Sequence, residues 1–161
     1  MMMVNTWRAL AIGVLSTLAM DLLTGIAIRL GLIAPLPPHL IGRWFASVAR
    51  AHVFHRDIAQ SSPVNHELLV ALTVHYLIGT GLATLYVWGT GAIGWPRGLG
   101  SALAFGFCTN VLPWLLMFPA MGYGFFGARG PDGTRLFVSS LASHAFFGLG
   151  LWMAVRAMNR P

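Results

Sequence analysis

The sequence predicts an all-α integral membrane protein with four transmembrane helices. Of its 161 residues, 57% are hydrophobic and 9% are charged, whereas an average soluble domain has roughly 25% charged residues. The mean hydropathy is +0.72, and the apolar residues fall into four long runs instead of the periodic stripes of a soluble core. We therefore expect the lipid bilayer to be the main solvent and partner of the chain.

The four apolar runs define the predicted spans of a single membrane domain, residues 1–161. They cover residues 9–33, 68–92, 98–120 and 136–158. Each run exceeds the 20 or so residues that a helix needs to cross the hydrocarbon core. The first span is expected to end before the stretch APLPP, because Pro35, Pro37 and Pro38 cannot continue a helix.

The first loop contains an amphipathic segment, residues 39–60. Its sequence HLIGRWFASVARAHVF places apolar side chains on one helical face and arginines on another, the former being Ile41, Trp44, Phe45 and Val48 and the latter Arg43 and Arg50. This pattern predicts a helix that lies in the membrane interface. On that helix His52 and His55 would stand at i and i+3, which is a weak metal motif; solvated histidines are the alternative.

The charges indicate a membrane anchor rather than a nucleic-acid surface. The ten basic residues are all arginines scattered singly along the chain, and a nucleic-acid patch would need them clustered. Arginines at helix ends anchor to lipid headgroups. The positive residues of the shorter segments favour termini in the cytoplasm; these are Arg8, Arg97, Arg156 and Arg160. The lone Cys108 excludes a disulfide framework.

One short motif occurs twice, in the second and fourth predicted spans. HYLIGTGL at 75–82 and HAFFGLGL at 144–151 share the frame HxxxGxGL. The recurrence predicts two parallel two-helix repeats related by an axis along the bilayer normal; chance recurrence of a short frame is the alternative. The glycines of this frame suit close helix packing.

Three ionisable side chains lie inside the predicted spans at similar depths. These are Asp21, His75 and His144, which the span lengths place within about one helical turn of each other. Ionisable groups in hydrocarbon need partners and are by default site hypotheses. We therefore predict that the three converge on a transport or ligand-binding site, with a bound metal ion as another partner for Asp21.

Further candidates lie on the side of the first loop. Arg43, Glu67 and His55 are predicted along a path inward, and Glu67 also suits a helix N-terminus as a plain dipole partner. The third span contributes Thr109 and Asn110. A second group, Pro113, Pro119 and Gly122, is predicted to kink this span and form a pliable mouth, although a kink that only shapes the protein is the alternative.

Taken together, these motifs resemble the bacterial membrane proteins catalogued as domain of unknown function 2938. The shared pieces are MD at 20–21, GRW at 42–44, His55 with Ile58, Glu67, HYxxG at 75–79, PAMGYG at 119–124 and HAFFGLGL. The resemblance implies a small multi-pass inner-membrane protein and no established activity. It marks Asp21, Arg43, His55, Glu67, His75, Pro119, Gly122 and His144, but not Asn110 or His52.

Three functions are compatible with this sequence. The first is transport or binding of a proton, a metal ion or a small ligand at the Asp/His site. The second is a structural or partner-binding role, in which the polar residues only hold helices together. The third is a redox protein in which His75 and His144 ligate a haem or metal. No serine elbow, HExxH or phosphate loop favours an enzyme. The cofactor and the choice between monomer and homo-oligomer stay open.

Overall fold

The computed structural model of the protein describes residues 5–34, 36–131 and 133–158. Pro35 and Arg160, which entered the predictions above, lie outside these residues. The α-helices in chain order are α1 (Thr6–Arg29), α2 (Pro38–Val48), α3 (Glu67–Ala92), α4 (Leu99–Thr109), the short α5 (Phe118–Met121) and α6 (Thr134–Met158). Within the described ranges there is no β-strand, so the predicted all-α class is confirmed.

Four segments are long and apolar enough to cross a membrane. They are Thr6–Arg29, Glu67–Ala92, Leu99–Met121 and Thr134–Met158. Large apolar side chains on these segments face outward: Leu22 is 60% exposed, Leu77 67% and Leu85 61%. Because a soluble protein rarely exposes so much apolar surface, the exposed leucines agree with the hydropathy in indicating a membrane protein.

The first span is shifted towards the N-terminus relative to its prediction. It begins at Thr6 and ends at Arg29, not at residue 33. Gly31 takes a left-handed conformation with φ 71°, and the amides of Gly31 and Leu32 bond back to the carbonyls of Ile28 and Ala27. This closure satisfies the last carbonyls of the helix, so the apolar residues that follow are not helical.

The third span is interrupted where Pro113 was expected to disturb it. α4 ends at Thr109, and a π-helical turn, Pro113–Met117, follows before α5. Proline has no N–H to donate to the carbonyl four residues earlier, and the wider π turn accommodates that gap. The chain then leaves helical geometry at Gly122, which has φ 91°.

The first loop differs from the predicted amphipathic helix over 39–60. α2 ends at Val48 because Ala51 turns the chain with φ 62°, and His52 and His55 lie beyond the helix. Trp44, Phe45 and Val48 of the predicted apolar face do pack into a hydrophobic core, but Arg43, predicted on another face, is buried as well. An ion pair within the loop, described below, outweighs the preference of arginine for water.

The described residues form two compact units. Unit 1 comprises residues 5–26, 76–109 and 142–158, and unit 2 comprises residues of 27–75 and 110–141. The core of unit 1 is apolar and includes Ile12, Val87, Ala102 and Leu151. The core of unit 2 is built around Trp44, Ile58, Phe118, Met121 and Leu136.

The glycines of the repeated frame make different contacts within unit 1. Gly79 faces Thr17 of α1, and the corresponding Gly148 faces the α4 backbone at Ala102 and Leu103. Each of these glycines therefore packs on the span that precedes it in the chain, as two-helix repeats would require. The second glycines differ, because Gly81 has no neighbour within 4 Å, whereas its counterpart Gly150 packs on α1.

This difference yields a matched pair of substitutions. A methyl group added at Gly148 would lie 2.6 Å from the Ala102 carbonyl oxygen and 2.9 Å from Leu103 Cα. Because neither backbone atom can move easily, we expect Gly148→Ala to destabilise the protein by about 1–3 kcal/mol. Gly81→Ala meets open space and should be neutral or slightly stabilising. Thermal melting in detergent checks both; equal melting temperatures for the two variants would argue against the helix contact.

Candidate functional site

Asp21 of unit 1 is bonded to a neighbouring span. It lies in the middle of α1, and its carboxylate accepts a hydrogen bond from the hydroxyl of Tyr76 on α3. Both side chains are half-buried. The frame HYxxG therefore contributes its tyrosine to Asp21 in addition to presenting a histidine, a role that the sequence analysis missed.

His144 of unit 1 is bonded to α4. Its Nδ1 lies 2.6 Å from the hydroxyl oxygen of Thr109, and that hydroxyl donates to the carbonyl of Gly106 at 2.6 Å. Thr109 is only 7% exposed. The close approach is possible because Gly106 has no side chain and rests against the backbone of His144 and Gly148.

The contacts between α1 and α6 fix the register of these two helices. The hydroxyl of Thr24 bonds to that of Ser143 at 3.2 Å, and Gly150 packs against Ser16 and Ala19. As the residue number rises on α6, the number of its neighbour on α1 falls. The two helices are therefore antiparallel, with Thr24 beside Ser143.

This register places Asp21 and His144 at nearly the same level along the helices. Asp21 is three residues from Thr24, which corresponds to the level of residue 146 on α6, and His144 is two residues from that position. At 1.5 Å per residue, the two levels differ by about 3 Å. The predicted common depth of Asp21 and His144 is thus supported by contacts within unit 1.

Each of the four spans contributes a polar side chain to this level. We call the set the polar layer; it consists of Asp21, Tyr76, Thr109 and His144. Asp21 is tied to Tyr76, His144 is tied to Thr109, and the register of α1 and α6 joins the two pairs. A carboxylate, a phenol, a hydroxyl and an imidazole all donate or accept hydrogen bonds, and carboxyl and imidazole groups can also bind a proton, so the polar layer is the candidate functional site.

His75, the third predicted member of the site, belongs to unit 2. It is half-buried, precedes Tyr76 in the chain and has an interaction partner. Its convergence with Asp21 and His144 stays a prediction. Over the part of the chain that the structure describes, no three His, Cys, Asp or Glu side chains are grouped so as to hold a metal ion.

Unit 2 brings together Arg43 and Glu67, two candidates that are 24 residues apart. The Nε of Arg43 donates to Glu67 Oε1 at 2.7 Å and its Nη2 donates to Oε2 at 3.2 Å. Its Nη1 donates to the carbonyl of Ser61 at 2.8 Å and to those of Ile58 and Ala59 at 3.2 and 3.3 Å. All three guanidinium nitrogens are therefore used within unit 2.

The geometry gives this pair a structural role. Arg43 and Glu67 are 8% and 10% exposed at their side chains, and Glu67 Oε1 also accepts from the amide of Val64 at 2.6 Å. Gly42 packs on the Glu67 carbonyl, which brings α2 against the start of α3. The pair thus ties α2, the loop and the start of α3 together within unit 2.

His55 lies in the same unit beside the end of the third span. Its amide donates to the Ala120 carbonyl at 2.7 Å, and its Nδ1 lies 3.1 Å from the hydroxyl of Ser61. Burial lowers the pKa of the imidazole, and the nearby His52 adds to this effect. A neutral His55 is thereby favoured, which suits a ring packed inside the loop.

Gly122 and Pro119 form the turn against which this loop packs. A side chain at Gly122 would collide with the Arg56 carbonyl, so the close contact and the left-handed φ both require glycine. The amide of Gly122 bonds to the Pro119 carbonyl at 3.1 Å. The motif PAMGYG therefore fixes the end of the third span.

Asn110, which the resemblance did not mark, is the most deeply buried amide of unit 2. It is 0% exposed, and its Oδ1 accepts a hydrogen bond of 2.7 Å from the Ser140 hydroxyl. A buried amide needs such partners. In the sequence, an asparagine inside an apolar span already indicates a buried polar group. Nothing in the sequence identifies Ser140, 30 residues away, as its partner.

Loss of the Arg43 guanidinium should lower the stability of unit 2. Arg43→Gln leaves Glu67 charged, buried and without its partner, which costs about 3–5 kcal/mol. Arg43→Lys should also be destabilising, because an ammonium cannot bond both carboxylate oxygens and three carbonyls. The exposed Arg50 supplies the control Arg50→Gln. If Arg43→Gln melted at the same temperature as Arg50→Gln, the Arg43–Glu67 pair would not contribute to stability.

The comparison with known proteins agrees with the motifs. The chain matches the family described as "Protein of unknown function (DUF2938)" over residues 10–158, which confirms the resemblance. No curated protein and no solved structure matches it. The matched region contains the whole polar layer and the Arg43–Glu67 pair. Since the match covers nearly all of the 161 residues, the chain belongs to the DUF2938 family.

Proposed function

We propose that the protein transports or binds a proton, or a small ligand that carries one, at the polar layer. The observation that carries the proposal is the common level of Asp21, Tyr76, Thr109 and His144 within unit 1. Ionisable groups inside a membrane span are rare and commonly form proton or ion pathways.

The chemistry of the layer favours a proton. Asp21 with Tyr76 is a carboxylate bonded to a phenol, and His144 with Thr109 is an imidazole bonded to a hydroxyl. Each pair combines a carboxyl or imidazole group with a hydroxyl that can either donate or accept a hydrogen bond. We further propose that the protein lies in a bacterial inner membrane with both termini in the cytoplasm, as the arginine distribution favours.

A structural or partner-binding function is the second candidate. It is favoured by the bond between Thr24 and Ser143 and by the glycine contacts at Gly79 and Gly148, which hold helices together without any ligand. In that case the hydrogen bonds of the polar layer would only stabilise the packing of the helices. The two functions differ in what a neutral substitute at Asp21 should do.

Proton flux into proteoliposomes separates the two functions. Purified protein is reconstituted, a potassium diffusion potential is applied with valinomycin, and the internal pH is followed with a dye. We expect Asp21→Asn and His144→Gln to lose at least about tenfold in flux, as for loss of an acid or base group. The exposed His39 of α2, which lies outside the spans, supplies the control His39→Gln, which should conduct normally.

Two results would overturn proton transport at the polar layer. One is a wild-type protein that raises proton flux no further than empty liposomes do. The other is normal flux in both Asp21→Asn and His144→Gln when both variants insert and fold. A changed melting temperature with unchanged flux would instead support the structural function.

A further inference from the structure

The hydrogen bonds of Thr109 determine where the proton of His144 lies. The Thr109 hydroxyl oxygen is 2.6 Å from the Gly106 carbonyl oxygen and 2.6 Å from His144 Nδ1. A hydroxyl has a single hydrogen to donate, and a carbonyl oxygen can only accept. Two oxygens this close require a hydrogen between them, so the Thr109 hydrogen points to Gly106.

This arrangement leaves only one role for His144 Nδ1. Since the Thr109 hydrogen is used, the contact of 2.6 Å with Nδ1 is favourable only if Nδ1 carries a hydrogen and donates it to Thr109. In a neutral imidazole the other nitrogen, Nε2, then holds the lone pair. The tautomer of His144 thus follows from the backbone position of Gly106.

We propose that Thr109 is a positioning residue that holds neutral His144 in its Nδ1–H form, so that Nε2 is the atom that takes up the proton. This inference rests on the proposed function and names the reacting atom of its site. Uptake adds one proton to the Nε2 lone pair and gives an imidazolium cation, and release reverses the step. The Nδ1–H bond to Thr109 is kept in both states.

The surroundings of Thr109 hold its hydroxyl rigidly in this position. Thr109 is 7% exposed, and Gly106 packs on the backbone of His144 and Gly148 with no room for a side chain. α4 and α6 are therefore held at a fixed distance at this point. The hydroxyl cannot turn away without giving up a bond in a segment where water does not replace it.

The tautomer can be read directly by ¹⁵N NMR of histidine-labelled full-length protein in lipid bilayers. The His144 signals are assigned by their loss in His144→Gln. At a pH where His144 is neutral, we expect a protonated Nδ1 and an unprotonated Nε2 in the wild type. Thr109→Ser should keep this pattern, and Thr109→Val should lose it in favour of the opposite tautomer or a mixture.

An unprotonated Nδ1 in the wild type would overturn the inference, and so would an unchanged tautomer in Thr109→Val. The wild-type measurement decides even if Thr109→Val fails to fold. The proton-flux assay separates this inference from the proposed function. A correct tautomer without any flux would refute proton transport alone, whereas flux with the opposite tautomer would refute the role of Thr109 alone.

Discussion

The close contacts of helix backbones at glycine are the constraint on which unit 1 depends. In a bilayer, burying apolar side chains between helices gains little, because lipid is as apolar as leucine. Packing and hydrogen bonding must then set which residues face each other. Gly106 against His144 and Gly150 against Ser16 fix the register, and the register brings polar side chains of all four spans to one level.

The polar side chains of the polar layer and of the Arg43–Glu67 pair are bonded to their partners by different means. In unit 1 the partners are hydroxyls on other spans, as for Asp21 with Tyr76 and His144 with Thr109. In unit 2 a fully charged pair, Arg43 with Glu67, is bonded to loop carbonyls as well. The first arrangement bonds side chains of different spans to each other, whereas the second holds a loop in one conformation.

The sequence predicted the parts of the structure that depend on local pattern. Hydropathy and length found the four spans, and proline chemistry found the interruption at Pro113. Prediction from the sequence failed where the position of a side chain depends on a partner that is distant in the chain. Arg43 was predicted on the arginine face of an interfacial helix, but it is buried because Glu67, 24 residues on, draws it into unit 2. The bond of Thr109 to His144, over 35 residues, likewise had no local signal.

The register of α1 against α6 can be measured by disulfide cross-linking in native membranes. In a Cys108→Ser background, Thr24→Cys is paired either with Ser143→Cys or with Phe147→Cys, which lies about 6 Å further along α6. A disulfide needs Cα atoms within about 7 Å, and the two hydroxyls are 3.2 Å apart. We expect the Ser143→Cys pair to cross-link readily. Cross-linking of the Thr24→Cys and Phe147→Cys pair alone would mean that the register of α6 against α1 differs by about one turn. In that register Asp21 and His144 would not lie at one level, which would contradict the polar layer.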